Sequence, residues 1–327
     1  METVSLGQTG TTVSALSFGT WRFGRETDAG TVEVDRERAH ELLDLYAEHG
    51  GNFIDTADMY GDGKSEQWIG DWLEARDREQ FVIASKVYWP TRENDPNGQG
   101  LSRKHLRRQI DRILDRLGTD YLDVLYTHRF DEQTPPEEFM RTLNGFVRDG
   151  KVNYLGTSTF EPQAWRVVEA NEIADKRGYE PFTIAQPRYN LINREVEPSY
   201  LDMCERYGIE CCPWSPLAGG FLTGKYRRGD RVPEQTRGAQ SDQFADRYLT
   251  DENFEALDVV TEVADELNAT PAQVSLAWLC DHPQVCAPIV GARTTDQLTE
   301  NLSAAELSLS QDQFDRLAKA KATPSLV

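Results

Sequence analysis

Between residues 16 and 290 the chain swings, at a nearly constant interval, between short apolar runs and helix-forming stretches. No other feature limits its fold so strongly. The apolar runs cover residues 16–18, 53–54, 81–85, 121–126, 152–156, 183–185, 209–212 and 287–290. They are continuous rather than alternately polar and apolar, the pattern of strands buried on both faces of a parallel sheet. The stretches between them are amphipathic. RERAHELLDLYAEHG sets Ala39, Leu42, Leu43 and Tyr46 at helical spacing and stops at Gly50. SEQWIGDWLEA offers Ser65 as an N-cap. Further helices are expected over 102–117, ended by Gly118, and over 136–147 and 162–174.

Eight such units favour an α/β chain closed into a (β/α)8 TIM barrel over an open doubly wound sheet. An N-terminal β-hairpin over 4–6 and 13–15 precedes it, and no Gly-rich fingerprint follows the first strand. No linker divides residues 1–327, which read as one barrel domain with long loops on its C-terminal face. The longest of these, 227–246, is polar, contains Gly and Pro, and follows the seventh strand. A loop of that length on the catalytic edge commonly closes over a ligand.

The net charge of −20 argues against a nucleic-acid partner, whose phosphates need clustered Lys and Arg. Only 8 of the 35 basic residues are Lys, and 55 acidic residues are spread along the whole chain. Such dispersal predicts a uniformly acidic, solvated surface, either that of an ordinary acidic soluble protein or, as the preferred reading, one suited to a halophilic, salt-rich cytoplasm where screening makes self-repulsion tolerable. No run reaches membrane-spanning length, and residues 1–20 lack a secretory signal, so the expected compartment is the cytoplasm. Cys204, Cys211, Cys212, Cys280 and Cys286 have no metal-ligand spacing and are expected to be buried thiols.

The chemistry gathers at strand ends. GGNFIDTADMYGDGKSEQWIG places Asp55 and Tyr60 around the end of the second strand, FVIASK ends in Lys86, and YLDVLYTH ends in His128. In a parallel barrel that edge is where catalytic groups collect. A tyrosine with a free pKa of about 10 needs a nearby cation to give up its proton near neutrality. Lys86 is placed to supply it, Asp55 to hold the ammonium, and His128 to orient a carbonyl oxygen. No side chain is a hydride source, so a bound cofactor must provide one.

GGNFIDTADMYGDGKSE, followed by SK and TH at the next two strand ends, resembles the aldo-keto reductase family. The resemblance implies an eight-stranded barrel that reduces a small-molecule carbonyl compound with a nicotinamide cofactor, usually NADPH. The family's catalytic Asp, Tyr, Lys and His fall on Asp55, Tyr60, Lys86 and His128 without substitution. It further implies that GTW brings Thr20 and Trp21 to the cofactor and substrate. Ser158 in LGTST and Gln186 in IAQPRYN would hold the nicotinamide carboxamide, with Trp214 stacked on the ring. Ser215, Pro216, Leu217 and Gly219, with Lys225, would wrap the pyrophosphate. Gly291, Arg293, Gln297, Glu300 and Asn301 of VGARTTDQLTEN would hold the adenosine end.

Two departures matter. Gly291 and Gln297 stand where many of these reductases carry Lys and Arg for the 2′-phosphate. Arg293 is then the clearest cation and Arg237 a second, so NADH is also admitted. GTW, WSPLAGG and GARTTDQLTEN look closest to the branch related to the potassium-channel β subunits, which implies an alternative: an NADP(H)-binding regulatory or accessory subunit with slow turnover. Trp21 and Trp89 hint at aromatic walls for an apolar or sugar-like substrate, and oligomeric state is left open.

Overall fold

The computed structural model describes residues 1–27, 30–92, 94–161, 163–229, 232 and 242–321. An antiparallel hairpin, β1 (Thr3–Ser5) and β2 (Thr12–Ser14), comes first, with Val4 opposite Val13. Eight parallel strands follow: β3 (Ser17–Gly19), β4 (Phe53–Asp55), β5 (Val82–Val87), β6 (Leu122–Thr127), β7 (Val152–Ser158), β8 (Phe182–Gln186), β9 (Glu210–Cys211) and β10 (Ile289–Val290). Each neighbours the next in chain order, and β10 pairs with β3. Across the remaining seam the Cys286 amide donates to the Cys211 carbonyl at 2.8 Å and the Ile289 amide to the Pro213 carbonyl at 2.9 Å. These bonds close the sheet into the expected TIM barrel.

Helices α1 (Arg36–Glu48), α2 (Lys64–Leu73), α3 (Arg103–Leu117), α4 (Pro136–Arg148), α5 (Ala164–Arg177) and α6 (Asp202–Tyr207) each follow a strand. Asp35 caps α1 by accepting from the Arg38 amide, and Ser102 caps α3 through the His105 amide. Gly118, at φ +62°, ends α3 in a left-handed turn that costs glycine least. Ser65 does not cap α2 as expected. The turn Tyr60–Gly63 delivers the chain into the helix through Gly63 at φ +90°, which leaves Ser65 inside the helix on its barrel-facing side. Of the loop expected over 227–246, residues 242–246 belong to the helix Asp242–Tyr248, and most of the remainder lies outside the described residues.

Two cores flank the strands. Phe53, Val82, Ala84, Val124, Tyr126, Ile184, Cys212 and Ala287 fill the barrel interior, and Leu6 and Val13 of the hairpin plug its N-terminal end. The alternate residues Ile54, Ile83, Leu125, Leu155 and Ala185 pack outward against the helices. Gly156 is fixed by this interior: a Cβ there would lie 2.4 Å from Cδ1 of Tyr126. All five cysteines are unpaired, with Cys280 partly exposed and the other four buried. Among the described residues no helix is long and apolar enough to cross a membrane.

Candidate active site

Strand geometry decides which side chains reach the C-terminal mouth of the barrel, because successive residues alternate between its two faces. Asp55 lies two residues beyond the inward Phe53, Lys86 two beyond Ala84, and His128 two beyond Tyr126. Gln186 likewise follows Ile184, and Trp214 follows Cys212. The residues expected to do chemistry are therefore the next inward layer above the packed core.

In that layer Lys86 is fully buried. Its Nζ donates to Asp55 Oδ2 at 2.5 Å, to the Thr56 carbonyl at 2.8 Å and to the Tyr60 hydroxyl at 3.2 Å. Burial alone would lower the Lys86 pKa, but Asp55 and Tyr60 outweigh it and hold the ammonium charged. Burial raises the Asp55 carboxyl, with Lys86 and Gln186 opposing. The Tyr60 phenol is raised too: burial outweighs the pull of Lys86, and Asp55 adds to the rise. The expected cation is in place beside the phenol, and burial outweighs its pull. Tyr60 accordingly keeps its proton at neutral pH. His128 packs edge-on to Tyr60, ring centroids 5.9 Å apart, and to Trp89 at 6.4 Å. Burial and then Lys86 push its imidazole well below the usual pKa, so the ring is neutral, with Nδ1 enclosed and unpartnered.

A polar frame carries the pair. Thr20 donates its hydroxyl to the Asp55 carbonyl at 3.0 Å and meets Ser65 Oγ at 2.8 Å, and Ser65 meets Thr56 Oγ1 at 2.8 Å. Gln186 Nε2 donates to Asp55 Oδ1 at 2.8 Å, while Ser158 Oγ donates to the Gln186 carbonyl at 2.9 Å. The link from Gln186 to Asp55 was not legible in the sequence, since the residues lie 131 positions apart. Ser65, read in the sequence as a helix cap, lies two residues after Gly63 and serves this frame instead.

The other expected binding residues form three groups. Trp21 is half-buried at the rim, with the Arg25 guanidinium 3.8 Å from its ring centroid. Trp214 is half-buried, its indole Nε1 enclosed without a partner. After it the chain curls through positive φ at Ser215, Ala218, Gly219 and Gly220. Such conformations turn successive N–H groups toward one concave side. Pro216 is buried and Leu217 half-buried in that curl. Lys225 crosses it closely enough that a Cβ on Gly220 would lie 2.7 Å from its Nζ. Asn190, missed in the sequence although it ends IAQPRYN, pins the curl: its Nδ2 donates to the Ser215 carbonyl at 2.9 Å. The third group opens the helix Thr295–Ser303, capped by Thr294 through the Gln297 amide. There Gln297 Oε1 accepts from the Arg293 amide at 3.0 Å, Asn301 is buried, Glu300 half-buried, and Gly291 exposed beside the Gly19 carbonyl. Arg237 lies outside the described residues.

Residues 15–322 match the family model described as "Aldo/keto reductase family". The chain is 36% identical over 313 residues to a "Probable voltage-gated potassium channel subunit beta" of Arabidopsis thaliana, covering 94% of this chain and 92% of that protein. It is 35% identical over 323 residues to "Uncharacterized oxidoreductase YrpG" of Bacillus subtilis, covering 95% and 93%. To "Versiconal hemiacetal acetate reductase" of Aspergillus parasiticus it is 34% identical over 336 residues, covering 97% and 96%. A family match over nearly the whole chain, joined by relatives that align almost end to end, places this protein in the aldo/keto reductase family of NAD(P)H-dependent oxidoreductases.

Proposed function

We propose that the chain reduces a small aldehyde, ketone or sugar-like carbonyl compound to an alcohol with NADPH, Tyr60 acting as general acid. The observation that supports this most directly is the buried Lys86 ammonium held between Asp55 and the Tyr60 hydroxyl at the C-terminal mouth of the barrel. The cofactor, when bound, supplies the hydride. Tyr60 passes its proton to the carbonyl oxygen, and Lys86 stabilises the phenolate left behind. Asp55 fixes Lys86, and neutral His128 offers a hydrogen bond to the substrate oxygen without adding a second cation. Placement on rigid strands preorganises these groups before substrate arrives.

The residues present fit the cofactor. Trp214 offers a flat ring at the mouth, and Ser158 and Gln186 bring polar groups to the nicotinamide amide. The curl over 215–219 turns N–H groups toward a pyrophosphate, and Lys225 adds charge. Gly291, Glu300 and Asn301 flank the adenosine. Arg293 serves a 2′-phosphate, aided by the helix N-terminus. Gln297, in place of a second cation, leaves NADH usable. The dispersed acidic excess supports work in a salt-rich cytoplasm. Steady-state NADPH oxidation with a panel of aldehydes, ketones and sugars tests the reading. Wild-type turnover that persists undiminished in Tyr60→Phe would refute the role of Tyr60.

A second reading rests on the relatives named as potassium channel subunits, such as that of Arabidopsis thaliana. It makes this chain an NADP(H)-binding accessory subunit. Tight NADPH binding without multiple turnover on any member of the panel would favour it.

A further inference from the structure

Behind the catalytic turn lies a cleft of about 1270 Å³. One wall is Asp58, Met59 and Asp62 on the back of the Tyr60 turn, a second is residues 90–92 and 94–96 after β5, and the third is Arg112, Asp115 and Arg116 of α3. None of Asp55, Tyr60, Lys86, His128 or Trp214 lines it.

Its lining carries three arginines and four aspartates. Arg92, Arg112 and Arg116 line the cleft, and Arg108 stands next to them on α3. Two of the four are already satisfied. Arg116 is paired with the buried Glu66 through Nε at 2.7 Å, and Arg108 with Asp95 at 2.7 Å. Arg92 and Arg112 form no ion pair among the described residues, although acidic side chains outnumber basic ones along the chain by 55 to 35. Burial, and then Arg92, Arg108 and Arg116, make the Arg112 guanidinium more acidic than usual, against the opposing pull of Asp95. Like charges held together at a cavity cost stability unless a ligand of opposite sign joins them.

A second observation points the same way. Asp58 lines the cleft, is only 1% exposed, and neither of its carboxyl oxygens has a hydrogen-bond partner. Burial and then the neighbouring Glu66 raise this carboxyl well above its ordinary value, with Arg116 opposing. The remaining acids are accounted for. Asp95 is occupied by Arg108, while Asp62 and Asp115 are exposed at the edge, where they can accept from hydroxyl groups.

We propose that this cleft is a binding site for a phosphate monoester, its phosphate gripped by Arg92 and Arg112 and its hydroxyl-bearing body set against Asp62 and Asp115. Guanidinium pairs suit a tetrahedral dianion because their planar forks donate two parallel bonds to its oxygens. The site is independent of the proposed cofactor cradle and does not rest on the proposed reaction.

The test is a titration of NADP⁺-saturated protein, so that the cofactor's own phosphate sites are filled. Inorganic phosphate and glycerol 3-phosphate are the probes, with chloride at matched ionic strength and glycerol as controls. Binding is followed by phosphorus NMR line broadening and by the rise in melting temperature. Saturable binding of both probes is expected, with glycerol 3-phosphate the tighter. Arg112→Gln and Arg92→Gln should each weaken it at least about tenfold, the loss of one charge-assisted bond. Arg293→Gln should leave it unchanged. Melting temperatures of the variants in chloride alone register any general damage to the fold. Non-saturable broadening, or binding lost in Arg293→Gln but kept in Arg112→Gln and Arg92→Gln, overturns the proposal. Equal affinity for the two probes would overturn the part assigned to the hydroxyl-bearing body.

Discussion

Replacing Lys86 by Met isolates the interaction on which the catalytic layer depends. The substitution removes a fully buried ammonium and its bonds to Asp55, Thr56 and Tyr60. Asp55 then remains 3% exposed, with Gln186 Nε2 at 2.8 Å as its side chain's one hydrogen-bond donor among the described residues. Removing one member of a buried pair costs about 3–5 kcal/mol, because the other charge is left uncompensated. Protonation sets a ceiling on that cost. The Asp55 carboxyl is raised by burial even in the wild type, and it climbs further once Lys86 no longer opposes. Folded Lys86→Met therefore keeps a proton that its unfolded chain releases above about pH 4. Where the folded state binds more protons, stability falls as pH rises. The deficit relative to wild type should be small near pH 4, grow with pH, and level off above the folded Asp55 value. Urea unfolding followed by tryptophan fluorescence, at several pH values, measures it. The double variant Asp55→Asn/Lys86→Met should recover at least about 2 kcal/mol at neutral pH, since the amide needs no counter-ion. A deficit independent of pH, and undiminished in the double variant, would show that the pair is not what holds this layer together.

Tyr60→Phe should lower kcat by about 10²–10⁴-fold, the usual share of a general acid, while NADPH affinity measured by fluorescence quenching stays within about twofold. Gly156→Ala drives a Cβ to 2.4 Å from the Tyr126 ring and should cost about 1–3 kcal/mol of overpacking, read as a lower melting temperature. His105 is fully buried, and burial, with Arg108 second, lowers its pKa to about 4. The unfolded chain thus takes up this proton first as pH falls, removing at most about 3 kcal/mol between about pH 6.5 and 4, a loss that His105→Gln should not show. If the excess of 55 acidic over 35 basic residues is an adaptation to salt, the melting temperature should climb steadily toward molar KCl, and a flat series would sink that idea.

What the sequence disclosed and what it withheld divide along physical lines. Strands β5 to β8 were legible because burial on both faces writes itself as a continuous apolar run. Lys86 and His128 were legible because a polar group closing such a run has little reason to be there unless it is used. The balance between burial and Lys86 at the Tyr60 phenol was not legible, because it depends on how far the finished barrel excludes water, and that is no property of a loop sequence. Ser65 was assigned to a helix start by residue type, yet the unusual turn before it, with Gly61, Asp62 and Gly63 all at positive φ, carried it past the cap. Asn190 and the bond from Gln186 to Asp55 join distant strands and loops, and only the closed fold brings those atoms together.

The same alternation that packs the barrel also makes its chemistry inseparable from strand register. Lys86 faces inward above Ala84, while its neighbour Ser85 faces the helices and donates to Glu66, which in turn holds Arg116 of α3. Slipping β5 by one residue would exchange these roles, because side chains on a strand change face at every step. It would turn the lysine toward the helices, leave Asp55 with Gln186 but without its counter-ion, and take the Ser85 hydroxyl from Glu66, which keeps Arg116. Asp55 is a buried carboxyl, so the misregistered barrel would carry an acid without its counter-ion, at a cost of about 3–5 kcal/mol. Thr20, Asp55, Lys86, Ser158 and Gln186 come from β3, β4, β5, β7 and β8 or their ends, so the polar layer checks the register of five strands at once. The layer proposed to deliver the proton is therefore also a reason why this sequence closes into one barrel and not a neighbouring one.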